Sequence, residues 1–599
     1  MKTVSWSVGK RIAALLIAVL LLIPLITPFG TGTAPAAAET EEASVPALLS
    51  GSPESGLVTE SEAYQHFLGE LLKCRAVAKT HVDTKTGVTH YYICADIDVR
   101  NYNLSKNDVD QIFQTLFYSE AELFFLSGGY FYTLSNGIAQ TVSSIYVELP
   151  APATDAEVKQ VRETTTAQLA EFHERANEIL AKVDRKTSDW EKVAFIHDYV
   201  ALHYDYDHRV YSEDTDEKAQ AVYDAYNMLK EGIGVCQAYS LLTRYLLKKL
   251  GIECECVSCD GLNHEWNIVK LDGSWYHMDV TWDDRDDKGF YGQVSHEYFL
   301  ASDSYFDAGR GEDRNHHSET GWVSPVRATN GRYDATFADV TTPFVYTTDG
   351  IYAICDGKLV TYDPKTEQFT ELFSLGLQWH AFGGVWQGTY AGLWYLNGKL
   401  YWNGEDSVYS YAPGSGAAAG TRVDRYMSLS GTVFGMRAYA DESTVTFVLA
   451  LMRDPNSGSV TEEVRSKGGY VITWRVAGET YETICLRGET PHFDGSLELP
   501  SNLFDYTFVQ WDKTVRSASA NATYTAQFRM DRNETTLEDK TLREQYRLIR
   551  AAILLLPYAN TGYAEASARI AELDGISADF ASRVNAVNAA FNGALFGDD

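Results

Sequence analysis

Positive charge is what this chain has least of. Its 599 residues include 50 Lys and Arg against 82 Asp and Glu, a formal charge of −32 at pH 7. A surface of that sign repels phosphate backbones and anionic lipid, which excludes nucleic acid as a partner. Cysteine is scarce too. The eight present, at positions 74, 94, 236, 254, 256, 259, 355 and 485, are scattered and do not suggest a disulfide scaffold. Beyond the N-terminus no apolar run is long enough to span a membrane. Several chemical signatures are missing. There is no G-x-S-x-G. His264-Glu265 and His296-Glu297 do not open H-E-x-x-H sites, because Ile268 and Leu300 hold the final position. The acidic run Asp283–Asp287 is no calcium loop, since Lys288 and Ser295 fall where ligands are needed; it reads as a solvated loop.

What is present is globular in composition, 45% apolar and 22% charged, and long enough for several domains. Lys2, Lys10 and Arg11 precede an apolar run from Ile12 to Ile26 and the small-residue tract Ala34–Ala38. That order predicts a signal peptide over 1–38 and a protein that is secreted or at the cell surface, with no membrane span after cleavage. No cysteine follows the run, so a lipoprotein anchor is not expected.

The chain reads as α+β overall. Residues 39–150 begin with a polar leader and continue as a small α+β region, with helices expected at Ala63–Cys74 and Lys106–Leu126. Residues 151–325 form the core. There, Ser188-Asp189-Trp190-Glu191 supplies a capping box. Helices are expected at Ala219–Leu229, from Cys236 to Leu250, and at 296–301; strands are expected at Glu253–Ser258, His264–Lys270 and Trp275–Thr281. Residues 326–465 are dense in Tyr, Gly, Thr and Val. Asp356–Pro364 (DGKLVTYDP) recurs weakly as Glu405–Pro413 (EDSVYSYAP), and the region is taken as a small β domain because it is too short for a propeller. A further β module is expected at 466–533 and a helical tail at 534–599.

Residues 231–283 concentrate the chemistry. Gly232-Ile233-Gly234-Val235 delivers Cys236 to the first turn of a helix, where free N–H groups lower a thiol pKa and can hold an oxyanion. Asp272-Gly273 is a two-residue hairpin turn. Continued pairing sets Trp266 opposite Asp279 and His264 opposite Thr281, so these four share a face. His264 and Asp279 become diagonal neighbours, roughly 7–8 Å apart at Cα. His277 is assigned to the opposite face. The reading is therefore Cys236 as nucleophile, His264 as base and then acid, and Asp279 as the group that fixes the imidazole tautomer. The Cys236 amide is one oxyanion donor, with Tyr204 or Gln237 considered for the second. Trp266 either shields the His–Asp pair or simply packs. Cys254, Cys256 and Cys259 with His264 offer the alternative of a zinc site, but Cys254 and Cys256 share one strand face, which suits packing; no metal or cofactor is expected.

G-V-C before a helix, then H-x-W-N, then W-Y-H-M-D-V-T-W-D resembles the transglutaminase-like superfamily of papain-type enzymes, over about 185–303. Ile196-His197-Asp198-Tyr199 and Tyr204-Asp205 resemble that family's approach to its core. The resemblance implies a papain-like fold, Cys236, His264 and Asp279 as the catalytic residues, and acyl transfer through a thioester on protein or peptide substrates. Two positions depart from the pattern: Gln237-Ala238, where a glycine is common, and Glu265, where alanine is common. Glu265 is expected to point away from the His264 face and do little harm. GYVITW (469–474), RGETPHFDG (487–495), YTFVQWD (506–512) and ANATYTAQF (520–528) resemble the β repeat of internalin-type bacterial surface proteins, which implies a stalk or adhesive role rather than catalysis, with cell-surface components as partners. The rival expectation is an inert surface-binding protein that uses the same core as a scaffold.

Overall fold

The computed structural model describes residues 57–532, apart from short segments at 83–86, 184–187, 213–221, 286–288, 309–321, 382–383, 389, 426–430, 442, 455–459 and 501–503, together with Arg547 and Ala551. The expected signal segment, the polar leader and the body of the helical tail lie outside the described residues.

The first unit packs α1 (Glu62–Leu71) and α2 (Lys106–Ser119) on a four-stranded sheet, order β1-β2-β4-β3, of β1 (Ala76–Val82), β2 (Thr89–Asp98), β3 (Tyr130–Ser135) and β4 (Ile138–Leu149). A capping box of Ser105 and Asp108 starts α2. The helix stops at Ser119 rather than Leu126, and a 3₁₀ turn at Ala121–Leu123 follows.

The core begins with α3 (Asp155–Leu180) and α4 (Asp189–His203), the latter opened by the Ser188/Glu191 capping box. A two-residue strand, β5 (Asp205–Tyr206), pairs in parallel with β6 (Ile233–Gly234). Between them α5 (Ala225–Glu231) starts later than the sequence suggests, because Asp224 caps it by accepting from Asn227 N. Gly232 ends it with φ +78, a value glycine adopts without steric cost. Helix α6 (Cys236–Lys249) then runs against a sheet ordered β10-β9-β8-β7. Its strands are β7 (Cys254–Cys259), β8 (His264–Leu271), β9 (Ser274–Met278) and β10 (Phe299–Ala301). Four-residue helix α7 (Val280–Asp283) and α8 (Asp303–Ala308) flank the sheet.

Two expectations fail here. The hairpin keeps the predicted register from Leu271↔Ser274 to Asn267↔Met278, but β9 ends at Met278 and Asp279 becomes the N-cap of α7. Residues 296–301 are not a helix. Phe299–Ala301 instead pairs with Met278 and His277, and Leu300, at φ +59, cannot sit in a right-handed helix. A short apolar run does not distinguish buried strand from buried helix.

Beyond the core, β11 (Val345–Thr347), β12 (Gly350–Cys355), β13 (Lys358–Asp363) and β14 (Gln368–Ser374) form one four-stranded meander. A hairpin of β15 (Gln378–Ala381) and β16 (Gly384–Gln387) leads to a second meander of β17 (Leu393–Leu396), β18 (Lys399–Asn403), β19 (Ser407–Tyr411) and β20 (Thr421–Arg425). The weak repeat is structural. Its two copies supply β13 and β19, the third strand of each meander. The remaining strands are β21 (Thr432–Asp441), β22 (Thr444–Met452), β23 (Val460–Val476), β24 (Glu479–Leu486), β25 (Phe504–Trp511) and β26 (Ala522–Arg532). One continuous strand, β23, pairs with β22 along its first half and with β24 and β26 along its second.

Helix α6 is buried on nearly every side, as a central helix should be. Of the apolar face the sequence predicts, Tyr239, Leu242, Tyr245 and Leu246 are buried and Leu250 is half-buried; Leu241, Leu247 and Arg244 are buried as well. Arg244 bridges to Glu120 (3.2 Å) behind α2 and to Glu255 (3.0 Å) on β7, which ties the helix to the first unit. Removing one member of a buried ion cluster strands its partners, typically at about 3–5 kcal/mol. Arg244→Ala should therefore lower the urea midpoint of unfolding by an amount equivalent to about 3–5 kcal/mol. An unchanged midpoint would show that the cluster contributes nothing.

Candidate functional site

Cys236 is the first residue of α6, and Val235 at the N-cap provides no side-chain cap. The N–H groups of the first turn therefore lack helical partners and point toward the thiol end. The helix start sits where it does because residue 234 is glycine. A Cβ there would stand 2.9 Å from both Ala238 Cβ and Met228 Sδ, so any side chain would push α6 away from α5. Cys236 is half-buried, with Sγ 4.0 Å from the carbonyl oxygen of Asn263 in the turn before β8.

His264 opens β8 and meets Cys236 through its side chain. Its Nε2 lies 2.6 Å from Asp279 Oδ2, which leaves Nδ1 as the nitrogen for the thiol. The contact arises differently from the predicted ladder. Asp279 is not across a strand pair; it has left β9 and caps α7, with Oδ1 accepting from Trp282 N at 3.0 Å. Both side chains are closed to water, at 6% and 0% exposure. Burial pushes the imidazole down, but the Asp279 charge and hydrogen bond, with the Cys236 thiol, outweigh it and raise His264 to about 10.

The imidazole is flanked by Trp266 (ring centroids 5.7 Å apart, stacked) and Trp282 (5.2 Å). His277, expected on the far face, shares the face of Trp266. Ile268 pairs with His277, so the even residues of β8 and the odd residues of β9 lie together. Trp266 Nε1 donates to His277 Nδ1 at 3.0 Å. An indole only donates, so His277 carries its proton on Nε2 and gives it to Asp303 Oδ1, 2.9 Å away. Burial holds His277 below its usual range. It is thus committed to supporting Trp266.

The run Asp283–Asp287 is not a solvated loop where it is described: Asp283 and Asp284 are 0% and 2% exposed. Asp284 accepts from Tyr239 Oη at 2.7 Å. Asp283 meets His197 Nε2 at 3.2 Å and the N–H of Tyr298. His197 Nδ1 meets Asp198 Oδ1 at 2.9 Å, and His296 Nε2 reaches the same oxygen at 2.9 Å. Burial opposes charging His197, but Asp198 and Asp283 overcome it and raise the imidazole to about 9. Among the described residues, His197, Asp198 and His296 are the group spaced to ligate a metal. Their donor atoms already engage one another, and Asp198 Oδ2 also accepts from Phe344 N at 2.6 Å. The cluster reads as a clamp on α7. The sequence reading placed His197 and Asp198 only through the family resemblance, and it missed the partnership with Asp283 and His296.

Of the oxyanion candidates, Tyr204 is buried, and its carbonyl oxygen lies 2.8 Å from Tyr239 Oη. For Tyr206, two residues on, burial first and then the charge of the Cys236 thiol raise the hydroxyl far above its usual range. Tyr223 feels Cys236 too. All eight cysteines are free, and burial raises the thiols of Cys254 and Cys256.

Asp279→Asn removes the largest influence that raises His264. The His264 titration, followed by imidazole C–H proton resonances, should drop well below about 10. A raised imidazole pKa supplies stability that is complete below 6.5 and lost as pH rises through about 10. That alkaline loss should disappear in the variant. A His264 titration unchanged from wild type would break the link.

Residues 174–280 match the model of the Transglutaminase-like superfamily. Among solved structures, one described as the crystal structure of a TGase is 16% identical, with a TM-score of 0.17, over 31% of this chain and 51% of its own. A candidate protease from Parabacteroides distasonis is 12% identical, with a TM-score of 0.15, over 34% of this chain and 35% of its own. The chain thus spans about half of the first and about a third of the second, and likenesses at these scores carry no argument about the whole molecule. No curated protein matches the chain. The segment that carries Cys236, His264 and Asp279 is a transglutaminase-like core in a chain of mixed helices and strands, with β-rich regions after it.

Proposed function

We propose that this chain is a thiol acyl-transfer enzyme, a peptidase, amidase or transglutaminase, that works through a thioester at Cys236. One observation carries the reading: a single imidazole joins Asp279 Oδ2, at 2.6 Å from Nε2, to the thiol of Cys236 on its other side. The match of residues 174–280 to the Transglutaminase-like superfamily supports the same class.

The steps follow from the groups present. The Cys236 thiolate attacks the carbonyl carbon of an acyl donor, and the carbonyl oxygen becomes an oxyanion facing the first-turn N–H groups of α6. His264 Nδ1–H gives its proton to the leaving nitrogen as the C–N bond breaks, which leaves a thioester. An acceptor, water or a primary amine, loses a proton to His264 and attacks the thioester. The sulfur departs as thiolate and the imidazolium is restored. Asp279 stabilises that imidazolium and fixes which nitrogen faces sulfur. Trp266 and Trp282 keep water from the ring, so the His–Asp attraction is not screened.

The N-terminal pattern at 1–38 and the acidic balance support export, and the residues at 469–528 that resemble an internalin-type repeat support a setting at a bacterial surface. Substrates in that setting are proteins or peptides.

The test is trapping. Incubation with glutamine-containing peptides, with and without a primary amine, should give a Cys236 acyl adduct and hydrolysed, deamidated or amine-linked product by mass spectrometry. Cys236→Ala should abolish all of these, and Asp279→Asn should slow acylation roughly 10³–10⁴-fold. Iodoacetamide should alkylate Cys236 before Cys254 or Cys256, whose thiols burial disfavours. Alkylation of Cys236 no faster than that of the buried thiols, with product formation surviving Cys236→Ala, would sink the proposal.

A further inference from the structure

Side chains alternate along β8. His264 and Trp266 lie on the thiol side, and Glu265 and Asn267 lie against α6. Glu265 is where the sequence departs from the family pattern, and it does point away from His264. It does not point into water. It is 5% exposed, and its Oε1 lies 2.9 Å from Ser240 Oγ, one turn into α6. The same Ser240 Oγ lies 2.9 Å from the carbonyl oxygen of Cys236. Asn267 Nδ2 donates to the Ser240 carbonyl at 3.0 Å, the next rung of the same ladder.

The protons in this chain can be counted. A serine hydroxyl has one, and a carbonyl oxygen has none and can only accept. If Ser240 donates to Cys236 O, its contact with Glu265 needs a proton on the carboxyl. An ionised carboxylate would instead have to share that one proton while buried, with only the weak S–H donor of Cys256 beside it, a costly arrangement. No basic side chain is committed to it. Arg244, on the same helix, is engaged by Glu255 and Glu120. The other titratable groups that face Glu265 are the Cys256 thiol on β7, His264 beside it in sequence, and Tyr118 from α2, which also feels Asp260.

We propose that Glu265 is a positioning residue: a protonated carboxylic acid that donates to Ser240, which donates to the Cys236 carbonyl, so that β8 holds the first turn of α6 and the thiol in place. The inference rests on Cys236 being the nucleophile. Burial, more than any partner, moves this carboxyl from 4.5 to about 8, so at neutral pH the proton is present. Above that the donor becomes an acceptor, the chain to Cys236 opens, and a buried negative charge appears beneath the helix start.

Two variants of the full chain separate the possibilities. Glu265→Gln keeps a donor and cannot ionise; Glu265→Ala removes the donor. A carboxyl with a raised folded pKa contributes stability that is complete below 4.5 and lost as pH rises through about 8. The melting temperature of Glu265→Gln relative to wild type should therefore climb between pH 5 and pH 8 and level off above. A pH-independent difference means Glu265 is ionised throughout and overturns the proposal. Iodoacetamide alkylation of Cys236 against pH should show a break near pH 8 in wild type and none in Glu265→Gln. Glu265→Ala should alkylate about tenfold more slowly than Glu265→Gln at pH 7; equal rates for all three proteins would overturn the positioning role. If both results hold and wild type transfers no acyl group, the proposed reaction fails and the role of Glu265 stands.

Discussion

Helix α7 is only four residues long, and the site depends on how it is held. Isolated, so short a helix has no stability of its own. Here a carboxylate anchors each end to an imidazole. Asp279 at the start meets His264, and Asp283 at the end meets His197, which is also held by Asp198. None of these charges reaches water, so each must be compensated by the others. The placement of Asp279 is thus a consequence of charge balance deeper in the core. The polar ladder on the other side of β8, from Glu265 and Asn267 to α6, does for the thiol what the clamp does for the carboxylate. The thiol and the imidazole–carboxylate pair are thus held from two sides of β8, and Tyr239 on α6 also reaches Asp284 just past α7.

The sequence made the parts of this site legible, but not their assembly. Cys236 at a helix start could be read from the glycines before it, and the turn at Asp272-Gly273 fixed the β8–β9 register. Extending that register to Asp279 was wrong in detail and right in outcome, because the chain leaves the sheet at Met278 and returns the carboxylate by capping a helix. His277 was misplaced by a parity error that the register corrects. Asp283 and Asp284 looked like surface charge because nothing local signals that His197 and Tyr239, far away in sequence, will receive them. Arg244 was hidden for the same reason, since a cation in a helix reads as solvated until its partners appear. The short strand at Phe299–Ala301 shows the usual ambiguity of brief apolar runs.

The β-rich half is not merely appended to the core. The segment before β10 reaches into it: Tyr291 O accepts from Met436 N, Gly292 O accepts from Leu393 N, and Gln293 donates to Phe434 O. Gly392 passes so close that a Cβ would stand 2.1 Å from Tyr291 O. These contacts begin eight residues beyond α7 and run to β17, the first strand of the second meander, and to β21.

The hydrogen bond from Phe344 N to Asp198 Oδ2 carries a consequence for the order of synthesis. A chain grows from its N-terminus, and Cys236, His264 and Asp279 are all made before residue 344. Until the backbone at Phe344 arrives, Asp198 lacks one of the groups that balance it, and the far anchor of α7 is incomplete. Closure of the α7 anchor therefore waits on chain that lies more than sixty residues past Asp279, and its assembly reports that the polypeptide has folded well beyond the segment it holds.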